Sequence, residues 1–239
     1  MAHRYFTSDI SGSEARLAGD EAAHLTRVLR AKPGDEIVLC DGQGSDYEVR
    51  LISVSPVLVT AEVLAQRPSS GEANVAAHLY IGYAKGERLE WAIQKAVELG
   101  AVSITPFFSE TTVVKPKNEE EKNVRYRRIA HEAAKQCGRG ILPRVGMPLT
   151  FAEVLAQATQ YDAPLFLYEK GGQPLAEAVA GAGSVALVSG PEGGFTPKEA
   201  GMAAAAGLTL IGLGPRILRC ETAPITALAA VMAFTGNLC

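Results

Sequence analysis

The chain has 239 residues, 47% apolar and 21% charged, which excludes a disordered polyelectrolyte, a collagen repeat and a coiled coil. That length suits one large domain or two modest ones. With 23 basic and 26 acidic residues the net charge is −3, so contact with nucleic acid would have to come from a segregated basic region.

Met1-Ala2-His3-Arg4 runs into mixed polar sequence without the apolar segment of a signal peptide. No stretch is apolar enough over about 18 residues to span a bilayer. Cys40, Cys137, Cys220 and Cys239 are far apart and form no CxxC pair, so a reduced, cytoplasmic protein is expected. His3, His24, His78 and His131 offer no i,i+4 pair, and no metal site is expected.

In chain order, residues 19–29 read as a helix with Asp20 as its N-cap. Strands follow at 36–40, 47–52 and 58–64, the first two flanking Asp41-Gly42-Gln43-Gly44, a hairpin signal. Residues 66–71 are polar and turn-rich and mark a domain boundary. Beyond it, strand 75–83, helix 87–99 ending at Gly100, and strand 102–108 make a βαβ unit. Helices at 124–137, 151–159, 174–180, 197–206 and 223–235 then alternate with strands at 164–168, 184–189 and 208–213. The second half is therefore a mostly parallel α/β layer structure. The charged stretch 115–123 lacks an apolar face and reads as a mobile loop.

Ligands bind outside the carboxyl ends of such strands, and three ends stand out. Strand 184–189 runs into Gly190-Pro191-Glu192-Gly193-Gly194, then into a helix with a capping box of Thr196, Pro197 and Glu199. This is neither a dinucleotide fingerprint nor a P-loop; it is a ligand cradle or a tight strand-to-helix turn. Strand 208–213 ends in glycines and then presents Arg216, Arg219, Glu221 and Thr222, which either meet a ligand or cap the last helix. Lys85 and Arg88 sit at a strand end and a helix start, where the dipole disfavours cations.

Charge is segregated as well. From Val114 to Arg144 nine basic residues, including Lys115, Arg125, Arg128, Lys135 and Arg139, face four acidic ones. Arg27, Arg30 and Lys32 form a smaller cluster near the start of the chain. Such patches suit phosphates, although a solvated helix face reads the same way. Arg27, Arg30, Lys85, Arg88, Arg125, Arg128, Lys135 and Arg139 are the candidate RNA contacts.

The run Gly190 to Gly194 together with Leu213 to Ala223 resembles the SPOUT superfamily of RNA methyltransferases. The resemblance is strongest to the RsmE family of small-subunit ribosomal RNA uridine-N3 methyltransferases. His24 to Arg30, Lys85 to Glu90, Lys95 to Gly100 and Glu132 to Arg139 agree in the same order, so it spans nearly the whole chain. Thr111 stands where the family often has arginine, and Tyr126 where it often has tryptophan. The resemblance implies an α/β fold: a trefoil-knotted methyltransferase domain with a mostly parallel sheet, over 74–239, and a PUA-like RNA-binding β-barrel over 1–70. It also implies a homodimer acting on 16S ribosomal RNA in the small subunit. S-adenosylmethionine would be lined by Leu167, Tyr168, Gly190, Pro191, Glu192, Gly193, Gly194, Leu213, Gly214, Ile217, Leu218 and Arg219.

Chemistry suggests the roles in such a reaction. Uracil N3 must lose a proton before it can attack a methyl group, and the charge spreads onto O2 and O4. Arg219 is the candidate to stabilise that charge; Glu221 or Glu192 is the candidate to accept the proton or orient a base. The apolar last helix is either monomer core or a two-fold interface. The rival readings are a SPOUT ribose 2′-O methyltransferase, a non-catalytic RNA-binding ribosome assembly factor and a nucleotide-binding enzyme with a non-standard glycine loop.

Overall fold

A computed structural model describes residues 4–114 and 116–238; Lys115, with Met1 to His3 and Cys239, lies outside them. Contacts divide the described chain into two compact units. The first holds the residues up to Glu72 with Ala134–Leu142, and the second holds Ala73–Ala133 with the residues from Pro143 onward.

The first unit is built on one six-stranded sheet, in the order β1 (Arg4–Phe6), β4 (Glu36–Cys40), β5 (Ser45–Val54), β6 (Leu58–Pro68), β3 (Glu14–Ala18), β2 (Ile10–Ser11). All ladders are antiparallel except β1 with β4. The hydrogen-bonded path ends at β1 and β2 instead of closing on itself, so the expected barrel is here a curled, open sheet. Register shifts between β5 and β6 at Glu48/Val49 and Leu51/Ser53 bend the two long strands. Tyr5, Leu17, Leu25, Leu39, Val49, Leu51 and Val59 fill its core. β6 runs on through Pro68, so residues 66–68 are strand, and the turn lies after them. Helix α1 (Gly19–Arg27) is capped at Ala18 with no side-chain bond; Asp20 lies inside the first turn, where its charge suits the helix dipole.

The second unit carries a seven-stranded parallel sheet, in the order β10 (Leu149–Thr150), β8 (Ser103–Phe108), β7 (Ala76–Gly82), β12 (Ser184–Ser189), β11 (Ala163–Leu167), β13 (Thr209–Ile211), with β9 (Arg144–Val145) also on β8. The connecting helices are α2 (Arg88–Glu98), α3 (Glu119–Cys137), α4 (Phe151–Ala158), α5 (Leu175–Ala178), α6 (Pro197–Ala206) and α7 (Thr222–Phe234). β7 leads to β8 on one side, while β12 leads to β13 on the other. Their shared border is a point where the winding reverses. Val185 to Val188 are fully buried, as expected of a central parallel strand covered on both faces.

Helix α3 begins at Glu119, not at 124. Glu119, Glu120 and Glu121 occupy its first turn, where the backbone N–H groups favour negative charge, so most of the stretch read as loop is helix. Its last turn groups with the first unit. Helix α7 buries Pro224, Ala227, Leu228, Val231 and Met232 against α2, α5 and the sheet, while Thr226, Ala233 and Phe234 stay exposed. Among the described residues no helix is long and apolar enough to cross a membrane.

Gly82 closes β7 at the winding reversal. A Cβ there would stand 2.2 Å from the backbone nitrogen of Pro191, which no side chain tolerates. Gly201, in α6, has nothing within 4 Å. Gly82→Ala is therefore expected to destabilise the protein by about 1–3 kcal/mol, whereas Gly201→Ala should stabilise it by about 0.5–1 kcal/mol. Denaturant titrations of the two variants check the contrast; equal effects would show that the approach at Gly82 does not constrain the fold.

Candidate active site

Four strand ends open on one side of the second sheet. Loops leaving β12, β11 and β13, with the start of α2 after β7, enclose a cavity of about 520 Å³, within the range of small-molecule sites. Every residue expected around a cofactor lines it: Leu167 and Tyr168 after β11, Gly190 to Gly194 after β12, and Leu213, Gly214, Ile217, Leu218 and Arg219 after β13. Glu221 and Arg88 line it too. The two glycine-rich loops thus share one hollow.

Backbone passing contacts build the hollow. Gly82 lets Pro191 cross the end of β7, and Gly172 lies against β13 so closely that a Cβ would meet the Leu210 oxygen at 2.0 Å. There the Tyr168 amide donates to the Ile211 carbonyl at 2.9 Å and the Gln173 amide to the Leu210 carbonyl at 2.9 Å. The loop after β11 is thereby folded back along β13.

The glycine loop is pinned at both ends. Phe195 is buried and lies 4.1 Å, centroid to centroid, from Phe166. The expected capping box is complete: the Glu199 amide donates to Thr196 Oγ1 and the Thr196 amide to the Glu199 carboxylate. Glu199, only 3% exposed, also accepts from the Glu110 amide at 2.9 Å. Thr111 Oγ1 donates to the Gly194 carbonyl at 2.6 Å. The residue that departs from the family pattern therefore holds the glycine loop itself.

Glu192 secures the other side. Its Oε1 accepts from the Lys85 amide at 2.7 Å and from the Arg88 guanidinium at 2.8 Å. Burial alone would raise this carboxyl, but the Lys85 amide and Arg88 outweigh it and hold the group below the ordinary carboxylate value. Arg88 Nε also lies 3.9 Å from Glu221, so one cation bridges two acids of the wall. The Cys220 thiol donates to Glu221 at 3.2 Å. Burial, then that carboxylate, push the thiol up to about 12, so it stays protonated at neutral pH and is no nucleophile. Arg216 and Arg219 are exposed in the wall.

The basic residues divide into three groups. Arg27, Arg30 and Lys32 are exposed at the exit of α1, where Arg30 holds φ at +54°, an unusual conformation outside glycine. Arg128 and Lys85 are also exposed, and Arg125 is tied to Glu90 at 2.7 Å. Lys135 and Arg139 are a correction to the expected RNA face. In the first unit, Lys135 bridges both oxygens of Glu21, at 2.9 and 2.8 Å. Arg139 is buried and pairs with Glu72 at 2.7 Å. Both cations hold residues 134–142 in place and are not offered to a polyanion.

Among the wall residues, Glu169, Ser189, Phe195 and Ile211 escaped the sequence reading. Glu169 directly follows Tyr168 and could have been found as the acid at a strand exit. Phe195 has no local signal beyond its place after the glycines. Arg88 was read as an RNA contact, and its bond to Glu192 spans 104 positions.

Comparison with known proteins agrees with this geometry. The RNA methyltransferase domain family matches residues 71–232, and an RNA methyltransferase PUA domain family matches residues 17–64. The chain is 34% identical, over 90% of its length and 88% of the relative's, to ribosomal RNA small subunit methyltransferase E of Bacillus subtilis. It is 34% identical to the protein of that name in Synechocystis, over 98% of this chain and 78% of the relative. A crystal structure of ribosomal RNA small subunit methyltransferase E from Neisseria gonorrhoeae bound to S-adenosyl methionine superposes with a TM-score of 0.89 at 29% identity, covering 98% of both chains.

A depressed folded-state carboxyl contributes stability above its unfolded pKa and loses it as pH falls through the folded value. Glu192→Gln should therefore melt below the wild type at pH 7, and the gap should close once the pH drops below the ordinary carboxylate range near about 4. A gap that persists at low pH would show that the charge of Glu192 does not hold the loop.

Proposed function

The chain belongs to the ribosomal RNA small subunit methyltransferase E family of RNA methyltransferases, and on that premise we propose that it methylates N3 of a uridine in 16S ribosomal RNA. The observation that carries this reading is the single hollow lined by residues 190–194 and 213–219. The donor is S-adenosylmethionine, which supplies, when bound, a methyl group already activated on a sulfonium. The residues fit such a ligand. Leu167, Ile211, Leu213 and Leu218 give apolar walls, and the glycines give bare backbone, which suits a nucleoside with a polar tail.

The remaining work falls to this chain's own side chains. The hollow orients the acceptor base and limits water. Arg219, exposed in the wall, stabilises the charge that spreads onto O2 and O4 as N3 loses its proton. Glu221 or Glu192 accepts that proton or orients the group that does. Glu192 already accepts two bonds, which favours Glu221.

The assignment extends to the rest of the chain. Residues 74–239 carry the catalytic SPOUT domain with its trefoil knot, and residues 1–70 the PUA-like domain that holds RNA. Arg27, Arg30, Lys85, Arg125 and Arg128 are the proposed phosphate contacts, while Arg88 is held by Glu192 and Glu221 in the cavity wall. The exposed strip of α7, ending in Phe234 at 57% exposure, supports a homodimer. The protein acts in the cytoplasm, where its substrate is made.

Primer extension on small-subunit RNA treated with the protein and S-adenosylmethionine tests the reaction. N3 methylation blocks Watson–Crick pairing and should give a discrete stop; ribose methylation would leave pairing intact. Arg219→Ala should lower turnover by about 10²-fold while changing cofactor affinity little. Loss of affinity with turnover unchanged would remove Arg219 from the charge-stabilising role.

A further inference from the structure

The cavity wall carries three carboxylates. Glu192 and Glu221 both lie beside Arg88, at 2.8 and 3.9 Å. Glu169 is the third. It stands two residues past the end of β11, the strand between those that feed the two glycine-rich loops. Its Oε2 lies 3.4 Å from where a Cβ on Gly194 would stand, so the carboxylate reaches the glycine loop. It is exposed, and among the described residues no hydrogen bond or ion pair engages it.

An acid at this place is matched to a particular ligand group. A carboxylate has two acceptor oxygens and no donor, and a vicinal diol presents two hydroxyl donors at a comparable spacing. In open parallel sheets an acid near a strand end is well placed to take ribose hydroxyls. The wall beside Glu169 is apolar, because Leu167 and Ile211 are register partners and both line the hollow with Leu213. Such a wall suits a purine, and the ribose is bonded directly to the purine.

We propose that Glu169 accepts hydrogen bonds from the 2′ and 3′ hydroxyls of the cofactor's ribose, an inference that rests on the S-adenosylmethionine reading above. Glu169 is then a binding residue that selects a ribonucleoside, distinct from the acids that Arg88 engages.

Calorimetric titration of wild type and Glu169→Gln tests this with three ligands. They are S-adenosylmethionine, 5′-methylthioadenosine, which keeps purine and ribose but lacks the amino-acid arm, and its 2′,3′-dideoxy analogue. The variant should bind the first two roughly tenfold more weakly, as expected for lost hydrogen bonds to a charged group, and the dideoxy analogue as the wild type does. Its melting temperature should not change, because Glu169 gives up no partner. Wild-type affinity of the variant for the first two ligands overturns the proposal. So does a loss confined to S-adenosylmethionine, which would assign Glu169 to the ammonium of the amino-acid arm. A wild type that binds none of the three overturns the cofactor reading itself, and the inference with it.

Discussion

The site depends on backbone passing backbone where side chains would not fit. Pro191 crosses the end of β7 over Gly82, and the loop after β11 lies on β13 at Gly172. These approaches draw the exits of four parallel strands into one hollow. The two sides of the glycine loop are then fixed by what lies next to that crossing. Glu192 reaches the Lys85 amide because Pro191 has brought the loop over β7. Thr111 and Glu199 hold the far side of the same loop. A cradle built this way is held by the protein's own backbone contacts, and a preorganised site does not spend binding energy on ordering itself.

Electrostatics follow from that geometry. Arg88 stands between Glu192 and Glu221 and keeps two acids close without mutual repulsion. Arg219, in contrast, is exposed on a loop that holds its carbonyl rather than its guanidinium: the Thr222 and Ala223 amides both donate to the Arg219 carbonyl at 2.9 Å. The backbone is anchored and the guanidinium stays exposed in the cavity wall. The chemistry assigned to the family needs little more, since an activated methyl group asks the protein for position and charge control.

What could be read from the sequence was local. The strand, glycine loop and capped helix from Ser184 to Ala206 are a contiguous signal, and each step has a short-range cause: an apolar run, glycines, and Thr196 with Glu199 three residues on. The meeting of residues 190–194 with 213–219 was legible through the family resemblance. Partners distant in sequence were not. Lys135 and Arg139 looked like a basic helix face, yet Glu21 and Glu72, 114 and 67 positions away, consume them. Strands β1, β2 and β3 have two to five residues, too few for alternation to register. The start of α3 was hidden because its first turn is acidic and not amphipathic, although acids there are what the helix dipole favours.

The central claim is that residues 190–194 and 213–219 act as one cradle for the methyl donor. Hydrogen exchange of the whole protein, with and without S-adenosylmethionine, measures it directly. Both segments should gain protection together and at the same ligand concentration. Protection of one segment alone, or of neither while the ligand binds elsewhere, would contradict the account.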